Sequence, residues 1–409
     1  MNAVVLFQGS NRNHGGLLLA DSTNSWSVAS YAKDLGDWVP RLIAVWRRAR
    51  KLPDGPAHTL LPRELQEVAS GVRTLSLGLT RDRMLAGAPY MDDPKLLGAY
   101  LLFFWPVSYA QARELFGELP HRPRSCLDLG SGPGPVAFAA LDAGASDVTC
   151  ADRSRAALKL ATELAKEAGE ALATREWTPD APLPDGRFDV ITLGHVVNEL
   201  YGRPESSGVI AKRTALLSTI AASVKPQGSL LVMDPALRET SRALLQVRDA
   251  WVQGGGAVRA PCFFKGPCPA LIKESDWCHA EREWSPPPVI AAIAREAGLK
   301  KEALKMSYLM LSPPGEAWAK PPDGQVFRIV SESLASKGRN RFMGCGASGR
   351  IGLAMQDKHL GEANKAFAHL RRGDVVRVEG TEPRGDGLAL GETSAVTFVA
   401  HVGQPIPRR

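Results

Sequence analysis

The sequence lacks the features that would assign it to a membrane or to a secretory route. Its 409 residues contain no uninterrupted apolar run of about 18 residues, the length that a membrane-spanning helix needs. The apolar segment from Leu101 to Tyr109 is short and contains Pro106. The N-terminus has no basic start, apolar core and cleavage site in succession. These absences lead us to expect a reducing, cytoplasmic compartment.

The composition is that of a globular protein with an excess of basic residues. Hydrophobic residues make up 44% of the chain and charged residues 23%, and the length allows two or three domains. The net charge of +7 and the pI near 9.1 favour a polyanionic partner such as nucleic acid. A composition rich in alanine, glycine and arginine would give the same charge without such a partner.

A glycine-rich turn is the most informative segment. Residues 127–134 read LDLGSGPG, which is typical of the end of a buried strand, a tight turn and the start of a helix. Glycines remove Cβ atoms where the chain turns and where a ligand approaches the backbone. Asp128, at the strand end, is placed to accept hydrogen bonds from a positively charged or hydroxylated ligand. The lysine of a P-loop is absent, and a purely structural turn is the alternative.

Further strand-like segments follow at the spacing of a doubly wound sheet. Asp147–Asp152 ends in an acid about 20 residues after the turn, where such folds place a ribose-binding carboxylate. Residues 153–167 have helical spacing, and residues 188–193 and 229–234 read as further strands. The sequence therefore predicts an α/β fold with a Rossmann-like parallel sheet.

Taken together, these segments resemble the class I S-adenosylmethionine (SAM) methyltransferases. LDLGSGPG is similar to their first motif and ADRS to their second, while PLPDGRFDVITLGHVVNEL and KPQGSLLVMD resemble the regions of their fourth and fifth strands. The resemblance spans roughly residues 95–311. It implies cofactor-binding roles for the methionine part, the ribose and the adenine at Asp128, Gly130, Gly132, Gly134, Asp152 and Trp177.

The chain divides into three predicted regions. Residues 1–120 form an N-terminal helical region, whose aromatic-rich segment 100–109 forms either a lid over the cofactor or core packing. Residues 121–315 form the SAM-binding domain, with a cysteine-containing insertion at 261–288. Residues 324–409 form a small β-rich domain, barrel-like or OB-like. Its predicted β runs are Val326–Ser331, Val375–Glu379 and Ala395–Val399.

The six cysteines fall into two groups. Cys126 and Cys150 lie on predicted buried strands and are expected to be core thiols. A reducing compartment disfavours disulfides between the others. Four thiolates in loops suit an iron–sulfur cluster or tetrahedral zinc. The spacing C-x5-C-x9-C has no C-x2-C pair of a zinc ribbon, although His279 leaves a zinc site of three cysteines and one histidine open. Unrelated free thiols are the third alternative. The second group consists of Cys262, Cys268, Cys278 and Cys345.

A narrower resemblance involves these cysteines. PCFFKGPCPALIKESDWCH, a downstream Gly-Cys-Gly, RRGDVV and the aromatic-rich LLFFWPVSYAQAR are similar to one methyltransferase-like family, over roughly residues 95–380. It is the family of the mitochondrial small-ribosomal-subunit methyltransferase-like assembly factor and its bacterial relatives. The resemblance implies a [4Fe–4S] cluster held by the four cysteines of the second group. The chain departs from the family at His279-Ala280, where a further aromatic is expected.

Candidate catalytic residues follow the predicted fourth strand. His195 is a candidate general base, and Asn198 and Glu199 are candidates for hydrogen bonds to the edge of a nucleobase. Purely structural roles for the three are an equal alternative. No Asn-Pro-Pro-Tyr or Asp-Pro-Pro-Tyr motif follows the predicted fourth strand, which weakens the hypothesis that the protein methylates an exocyclic amine of a nucleobase. No Pro-Cys pair is present there either, which disfavours covalent C5-cytosine chemistry.

Four cations near the fourth cysteine are candidate RNA-binding residues. Lys337, Arg339, Arg341 and Arg350 span 14 residues without an acid and are suited to contact phosphates. A solvated basic turn is the alternative.

Three functions stay open at this stage. The first, which we favour, is a ribosomal small-subunit RNA methyltransferase, with catalysis itself undecided. The second is a non-catalytic assembly factor that binds SAM and an iron–sulfur cluster. The third is a small-molecule methyltransferase with a structural zinc. We expect the small ribosomal subunit and its rRNA as partners, no membrane association, and a monomer.

Overall fold

The computed structural model describes residues 28–320 and 322–407. The part of the predicted helical region before residue 28 lies outside the described residues. Helices come first along the chain. They are α1 (Val28–Arg50), α2 (Pro62–Ser76), α3 (Pro94–Ala99) and α4 (Trp105–Gly117), and π-helical turns at Leu77–Arg81 and Tyr100–Phe104 follow α2 and α3.

Helix α1 buries one apolar face against the rest of the molecule. Trp38, Leu42 and Trp46 recur every four residues and are each at most 2% exposed. The ring of Trp38 lies 4.7 Å from that of Phe138 and 5.3 Å from that of Trp105. The helical region therefore shares one core with the domain that follows it.

That domain is a mixed sheet with helices on both faces. Its strands are β1 (Ser125–Leu129), β2 (Asp147–Asp152), β3 (Ala173–Glu176), β4 (Phe188–Gly194), β5 (Val224–Pro235), β6 (Val258–Ala260), β7 (Ala280–Glu283) and β8 (Ala303–Leu311). Its helices are α5 (Pro135–Asp142), α6 (Arg155–Ala168), α7 (Val209–Ala221), α8 (Arg238–Gln253) and α9 (Pro288–Glu296).

The strand order identifies the fold. The order is β3-β2-β1-β4-β5-β8-β6, in which β1 to β5 pair in parallel and β8 runs antiparallel to its neighbours. All five residues of β1 are buried, as expected for a strand covered on both faces. The predicted Rossmann-like class I methyltransferase fold is therefore confirmed.

The predicted irregular insertion contains a strand that the sequence did not indicate. Residues 280–283 form β7, which pairs antiparallel with the N-terminal part of β8. The sequence Ala-Glu-Arg-Glu has no apolar alternation, so it carries no local strand signal. The pairing depends on β8 being in place, which no local pattern can report.

The C-terminal strands close into a barrel. They are β9 (Gln325–Ile329), β10 (Arg339–Gly346), β11 (Gly349–Gln356), β12 (Val375–Arg384) and β13 (Gly387–Ala400). The closed order is β10-β11-β13-β12-β9, with β11 and β13 parallel and the other pairs antiparallel. In barrel numbering this is 1-2-3-5-4, the connectivity of the OB-fold. The glycine- and arginine-rich strands β10 and β11 lie where no strand bounds were predicted.

One buried carboxylate joins the three regions. Glu118, directly after α4, accepts hydrogen bonds from Arg282 Nη2 and the Tyr308 hydroxyl, both at 2.7 Å. Arg328 Nη1, from the barrel, lies 3.2 Å from the same carboxylate. Burial alone would raise the pKa of Glu118, but the two arginines bring it below its usual value. The arrangement fixes the barrel against the sheet.

Within the described residues, no helix combines the length and the apolar character that crossing a membrane requires.

Candidate functional site

A cavity of about 420 Å³ lies at the carboxyl ends of β1, β2 and β4. Ligands of open α/β sheets bind at this edge, and the volume lies in the range of small-molecule sites. Residues from the glycine-rich turn, the N-terminal region and the segment after α9 all contribute to the wall. They include Tyr90, Met91, Tyr100, Gln111, Gly130, Asp152, Trp177, His195, Asn198, Glu199, Lys301 and Lys305.

The glycine-rich turn requires its glycines. Gly130 and Gly134 have φ of +68° and +80°, which side chains rarely adopt. A Cβ on Gly130 would lie 2.4 Å from Val196, and one on Gly134 would lie 3.1 Å from the sulfur of Cys150. The turn therefore packs directly on its neighbours, and Cys150 is the core thiol beneath it.

Asp128 lies beneath the turn and does not line the cavity. Its carboxylate accepts hydrogen bonds from the Thr192 hydroxyl at 2.7 Å and from the Ala137 N–H at 3.2 Å. Burial raises the pKa of Asp128 to about 7. The side chain joins β4 to the first turn of α5, so its predicted contact with a cofactor stays a prediction.

Asp152 and Trp177 reach the cavity itself. The Asp152 carboxylate accepts hydrogen bonds from the N–H groups of Gly132 and Ser154, both at 2.8 Å, and burial raises its pKa. Trp177 is 5% exposed, and its indole N–H is buried without a partner among the described residues. An unpaired buried donor in a cavity wall is what a ligand acceptor would complete.

His195 is held in one orientation. It has φ of +62°, and its Nε2 lies 2.9 Å from Gln111 Oε1. The amide nitrogen of Gln111 donates to the Lys305 carbonyl at 3.0 Å, which fixes the amide oxygen as the group facing His195. His195 Nε2 therefore carries the proton and Nδ1 carries the lone pair. Burial, followed by the charge of Lys301, lowers the pKa of His195 to about 4, so the ring is neutral.

Asn198 and Glu199 differ in how many of their side-chain polar atoms already have hydrogen-bond partners within the protein. The Asn198 amide donates to Asp234 at 2.9 Å, and its oxygen accepts from Arg83 at 3.0 Å, so its polar groups are used within the protein. Glu199 accepts one hydrogen bond, from the Gly87 N–H at 3.1 Å. Burial raises the pKa of Glu199 to about 7.

A segment of the N-terminal region covers the cavity. We call residues 87–92 the cover segment. Arg153 donates to the carbonyls of Gly87 and Ala88 at 2.9 and 2.5 Å, and the Ser154 hydroxyl donates to Asp92 at 2.9 Å. The aromatic segment 100–109, predicted as lid or core, contributes Tyr100 to the same wall. The cover segment has no periodic pattern, and sequence reasoning missed it.

Gln111, Lys301 and Lys305 were also missed. Gln111 lies on α4, Lys301 lies in the loop before β8 and Lys305 lies on β8 itself, and no local motif marks any of them. Only the docking of the helical region and of β8 brings them to the cavity.

The structure brings the four cysteines of the second group together. Every pair among them lies close enough for the charge of one thiolate to raise the pKa of another. Burial is the largest cause of the raised pKa of each thiol, which reaches about 11 for Cys268 and about 12 for Cys278. Nearby arginines act in the opposite direction, Arg248 on Cys262 and Arg350 on Cys345.

Helix α8 holds the loop that carries two of these cysteines. Arg248 donates to the Phe264 carbonyl and to the Gly266 carbonyl, between Cys262 and Cys268. The carboxylate of Asp249 accepts from the Cys268 N–H at 2.9 Å. The Nε of Arg248 is buried without a hydrogen-bond partner among the described residues.

No three histidine, cysteine, aspartate or glutamate side chains within residues 28–320 and 322–407 form a group that could hold a single metal ion. The ring nitrogen Nδ1 of His279 is buried and has no hydrogen-bond partner in the same part of the chain.

The four candidate RNA-binding cations lie in and around two barrel strands. Lys337 precedes β10, Arg339 and Arg341 lie on β10, and Arg350 lies on β11. Arg350 forms an ion pair with Asp276 of the insertion. For the other three, the described residues provide no ion-pair partner.

Solved structures with a partial likeness to this chain include several methyltransferases. The mitomycin 7-O-methyltransferase MmcR has 23% identity and a TM-score of 0.29, and the match covers 43% of this chain and 52% of that one. The chain thus spans about half the length of MmcR. Ribosomal protein L11 methylase from Lactobacillus delbrueckii subsp. bulgaricus has 14% identity and a TM-score of 0.30, covering 50% and 77%. A SAM-dependent methyltransferase from Leishmania major has 16% identity and a TM-score of 0.35, covering 63% and 87%.

In sequence, no curated protein matches the chain. One protein family does, over residues 99–377, and it is described as mitochondrial small ribosomal subunit Rsm22. The matched segment starts within the helices, spans the whole sheet domain with its cysteine loop, and ends inside the barrel. The chain belongs to the Rsm22 family.

Proposed function

We propose that the protein is a SAM-dependent methyltransferase that acts on the rRNA of the small ribosomal subunit. The observation that carries the proposal is the cavity at the switch edge of the sheet, where the glycine-rich turn, Asp152 and the unpaired indole N–H of Trp177 meet. The description of the Rsm22 family supports the ribosomal partner. The net charge of +7 supports an RNA substrate.

The residues present fit a bound SAM molecule. The Asp152 carboxylate lines the cavity and can accept hydrogen bonds from the hydroxyls of a ribose diol, and Trp177 offers a donor. SAM supplies a methyl group that its sulfonium already activates, so the protein has mainly to align the acceptor. The cover segment and Tyr100 close the cavity toward solvent, which keeps water from the reacting atoms.

A nucleobase amine, or a ring nitrogen that carries a hydrogen, must lose a proton when it gains the methyl group and the product is neutral. The bond from sulfur to methyl breaks, the bond from acceptor to methyl forms, and S-adenosylhomocysteine leaves. The proton goes to a group of the protein or to water. Glu199, with its pKa near 7, is the group best matched to accept it. His195 presents a neutral ring and orients the acceptor, while the Asn198 amide donates to the His195 carbonyl and to Asp234 and so fixes the backbone at His195.

We further propose that Cys262, Cys268, Cys278 and Cys345 hold a [4Fe–4S] cluster. The donor set fits, since such clusters take four cysteine thiolates from loops with no fixed spacing. Such a group carries net negative charge, and burial would oppose it without counter-ions. Arg248 and Arg350 provide positive charge to these thiols. A zinc site that recruits His279 is the alternative, favoured by the unpaired Nδ1 of that ring.

Methyl transfer is tested with radiolabelled SAM and small subunits from a strain that lacks the gene. We expect label in the rRNA with the wild-type protein, and a loss of at least tenfold with Asp152→Ala. Asp147→Ala, at the exposed start of the same strand, is the matched control and should label normally. Subunits that are captured by the protein and never labelled would contradict methyl transfer and favour the assembly-factor function.

The metal proposal is tested on anaerobically purified protein. We expect iron and sulfide in equal amounts and the visible absorbance of an iron–sulfur cluster. The Cys278→Ser variant should lose the iron, the sulfide and the absorbance. Cys126→Ala, in the sheet core, is the control. Stoichiometric zinc without sulfide would contradict the cluster and support the alternative with His279.

A further inference from the structure

Part of the outer surface of the C-terminal barrel belongs neither to the cavity nor to the contact with the cysteine loop. Strand alternation places Phe342 and Leu353 inside the barrel, so their neighbours Arg341, Gly352 and Ala354 point outward. On β13, Gly387 and Ala389 pair with Gly352 and Ala354 and share that outward side. The barrel face is the part of this outward side formed by Arg339 and Arg341 on β10, Gly352 and Ala354 on β11, and Gly387 and Ala389 on β13. Cys345 and Arg350 lie at the other end of the same side, against the cysteine loop.

We propose that the barrel face binds single-stranded RNA. The inference rests on the proposed RNA-associated function and names the form of RNA and the surface that receives it. It draws on three independent features of the face: connectivity, charge and the shape of its floor.

The connectivity is that of the OB-fold, whose second and third strands bind extended oligonucleotides. In this barrel those strands are β10 and β11. The loop before β10, residues 330–338, lies along its free edge, with Leu334 N–H bonded to the Arg341 carbonyl at 2.8 Å. It provides one wall beside the floor.

The charge of the face is unbalanced within the protein. Arg341 is exposed, and Arg339 and Lys337 continue the positive row toward the loop. Within the described ranges, no carboxylate pairs with any of the three. Beyond β13, Glu382 stands opposite Ala389 and Arg384 stands opposite Gly387, so β12 adds one charge of each sign and the net positive charge lies on the β10–β11 half. A phosphate backbone would follow this half and release counterions.

The central part of the barrel face, where β11 and β13 pair, has only glycine and alanine side chains. The pairs Gly352–Gly387 and Ala354–Ala389 make a strip across two neighbouring strands in which no side chain extends beyond Cβ. Ala354 is buried, so the accessible part of the strip is Gly352, Gly387 and Ala389. Packing within the protein explains Gly387, because a Cβ there would lie 2.5 Å from the Gly352 carbonyl. It does not explain Gly352, whose added Cβ would meet only the Arg341 stem, at 3.7 Å.

The empty strip and the arginine beside it suit an unpaired base. A base can lie flat against the strip while a guanidinium plane stacks on it, as aromatic and arginine side chains do in single-strand sites. A duplex hides its bases and offers the face only phosphates. We therefore expect the strand to be preferred to the duplex.

The test is fluorescence anisotropy with a labelled 12-nucleotide RNA of mixed sequence, alone and annealed to its complement, over a range of salt. We expect tighter binding of the single strand. Arg339→Ala with Arg341→Ala should weaken it about tenfold near 0.15 M salt and reduce the slope of log K against log salt by about 1.4. Gly352→Val, which a strand tolerates, should weaken it without changing the slope.

Matched controls separate the face from general effects. Lys159→Ala with Lys166→Ala removes two exposed cations from α6, and Gly361→Val adds a side chain in open space at an exposed, extended position between β11 and β12. Both should bind RNA as the wild type does. Equal affinity for strand and duplex, or wild-type affinity in both the arginine and the Gly352 variants, would overturn the inference.

The outcomes also separate this inference from the proposed function. No RNA binding by the isolated protein, with methyl transfer to subunits intact, would overturn the barrel face alone. Strand binding through the face, with no label ever transferred, would support the face and remove the proposed catalysis.

Discussion

At the scale of single residues, the cavity combines acids that resist ionisation with a neutral imidazole. Burial raises the pKa of Glu199 to about 7 and that of Asp234 to about 6, while it lowers that of His195 to about 4. The cavity therefore disfavours charge of either sign when no ligand is bound. A ligand that brings positive charge would restore the ionised carboxylates, which suits a sulfonium cofactor.

The raised pKa of Glu199 has a consequence for stability. Its folded pKa of about 7 lies above the unfolded value of 4.5, so its contribution is fully present below pH 4.5 and is lost as the pH rises through 7. We expect the stability of the wild type relative to Glu199→Gln to fall by about 3 kcal/mol between pH 4.5 and pH 7.5. Urea unfolding of the ligand-free proteins measures it. A difference that does not vary with pH would contradict the placement of this carboxyl.

At the scale of elements, the cover segment depends on Arg153, which holds two of its carbonyls. In Arg153→Ala we expect SAM to dissociate about tenfold faster, because charged hydrogen bonds of this kind contribute about 1.5–3 kcal/mol. Stopped-flow displacement of a fluorescent SAM analogue measures the rate. Arg155→Ala, two residues on and highly exposed, is the control and should leave dissociation unchanged. Equal rates in all three proteins would show that the segment does not retain the ligand.

The strands that the sequence predicted have a local apolar pattern, whereas the strands that it missed form only because they pair with other strands. Strands β1, β2, β4 and β5 are buried apolar runs next to turn signals. Strands β7 and β10 are rich in charge or glycine, and only their partners make them strands.

The same distinction holds for the candidate site. Gly130 and Asp152 belong to motifs with recognisable spacing, and Trp177 is predicted from its place after the third strand; all three line one cavity. Gln111 and Lys301 reach that cavity from segments that no motif connects to it. The charged pair of Arg248 and Asp249 on α8 gives no hint in the sequence that it holds the cysteine loop.

At the scale of the whole molecule, Glu118 connects the helical region, the sheet and the barrel. Replacing it by glutamine leaves Arg328 buried near a neutral amide, while Arg282 keeps the buried carboxylate of Glu114 at 3.6 Å. We expect Glu118→Gln to lower the free energy of unfolding by about 3–5 kcal/mol, since breaking a buried pair leaves uncompensated charge. Limited proteolysis should then cut between β8 and β9. Glu362→Gln, at an exposed carboxylate, is the control. Unchanged stability would show that the barrel is held by its other contacts.

The same carboxylate predicts how acid affects the assembly of the regions. Its pKa is lowered in the folded protein, so its contribution is present above the unfolded value of 4.5 and is lost as the pH falls through the folded value. This is opposite in sign to Glu199. Lowering the pH therefore weakens the contacts of Glu118 between the three regions, while it removes the energetic cost of an ionised Glu199 in the cavity.

The central claim is that the cavity is a SAM site, and a calorimetric titration of the purified protein with SAM tests it most directly. We predict binding at one site, tighter at pH 8 than at pH 6 with release of protons, because the bound cation favours ionised carboxylates. Asp152→Asn should weaken binding by about 10–100-fold, and the exposed Asp147→Asn should not. No heat of binding at any of these pH values, in protein that is folded and intact, would contradict the account.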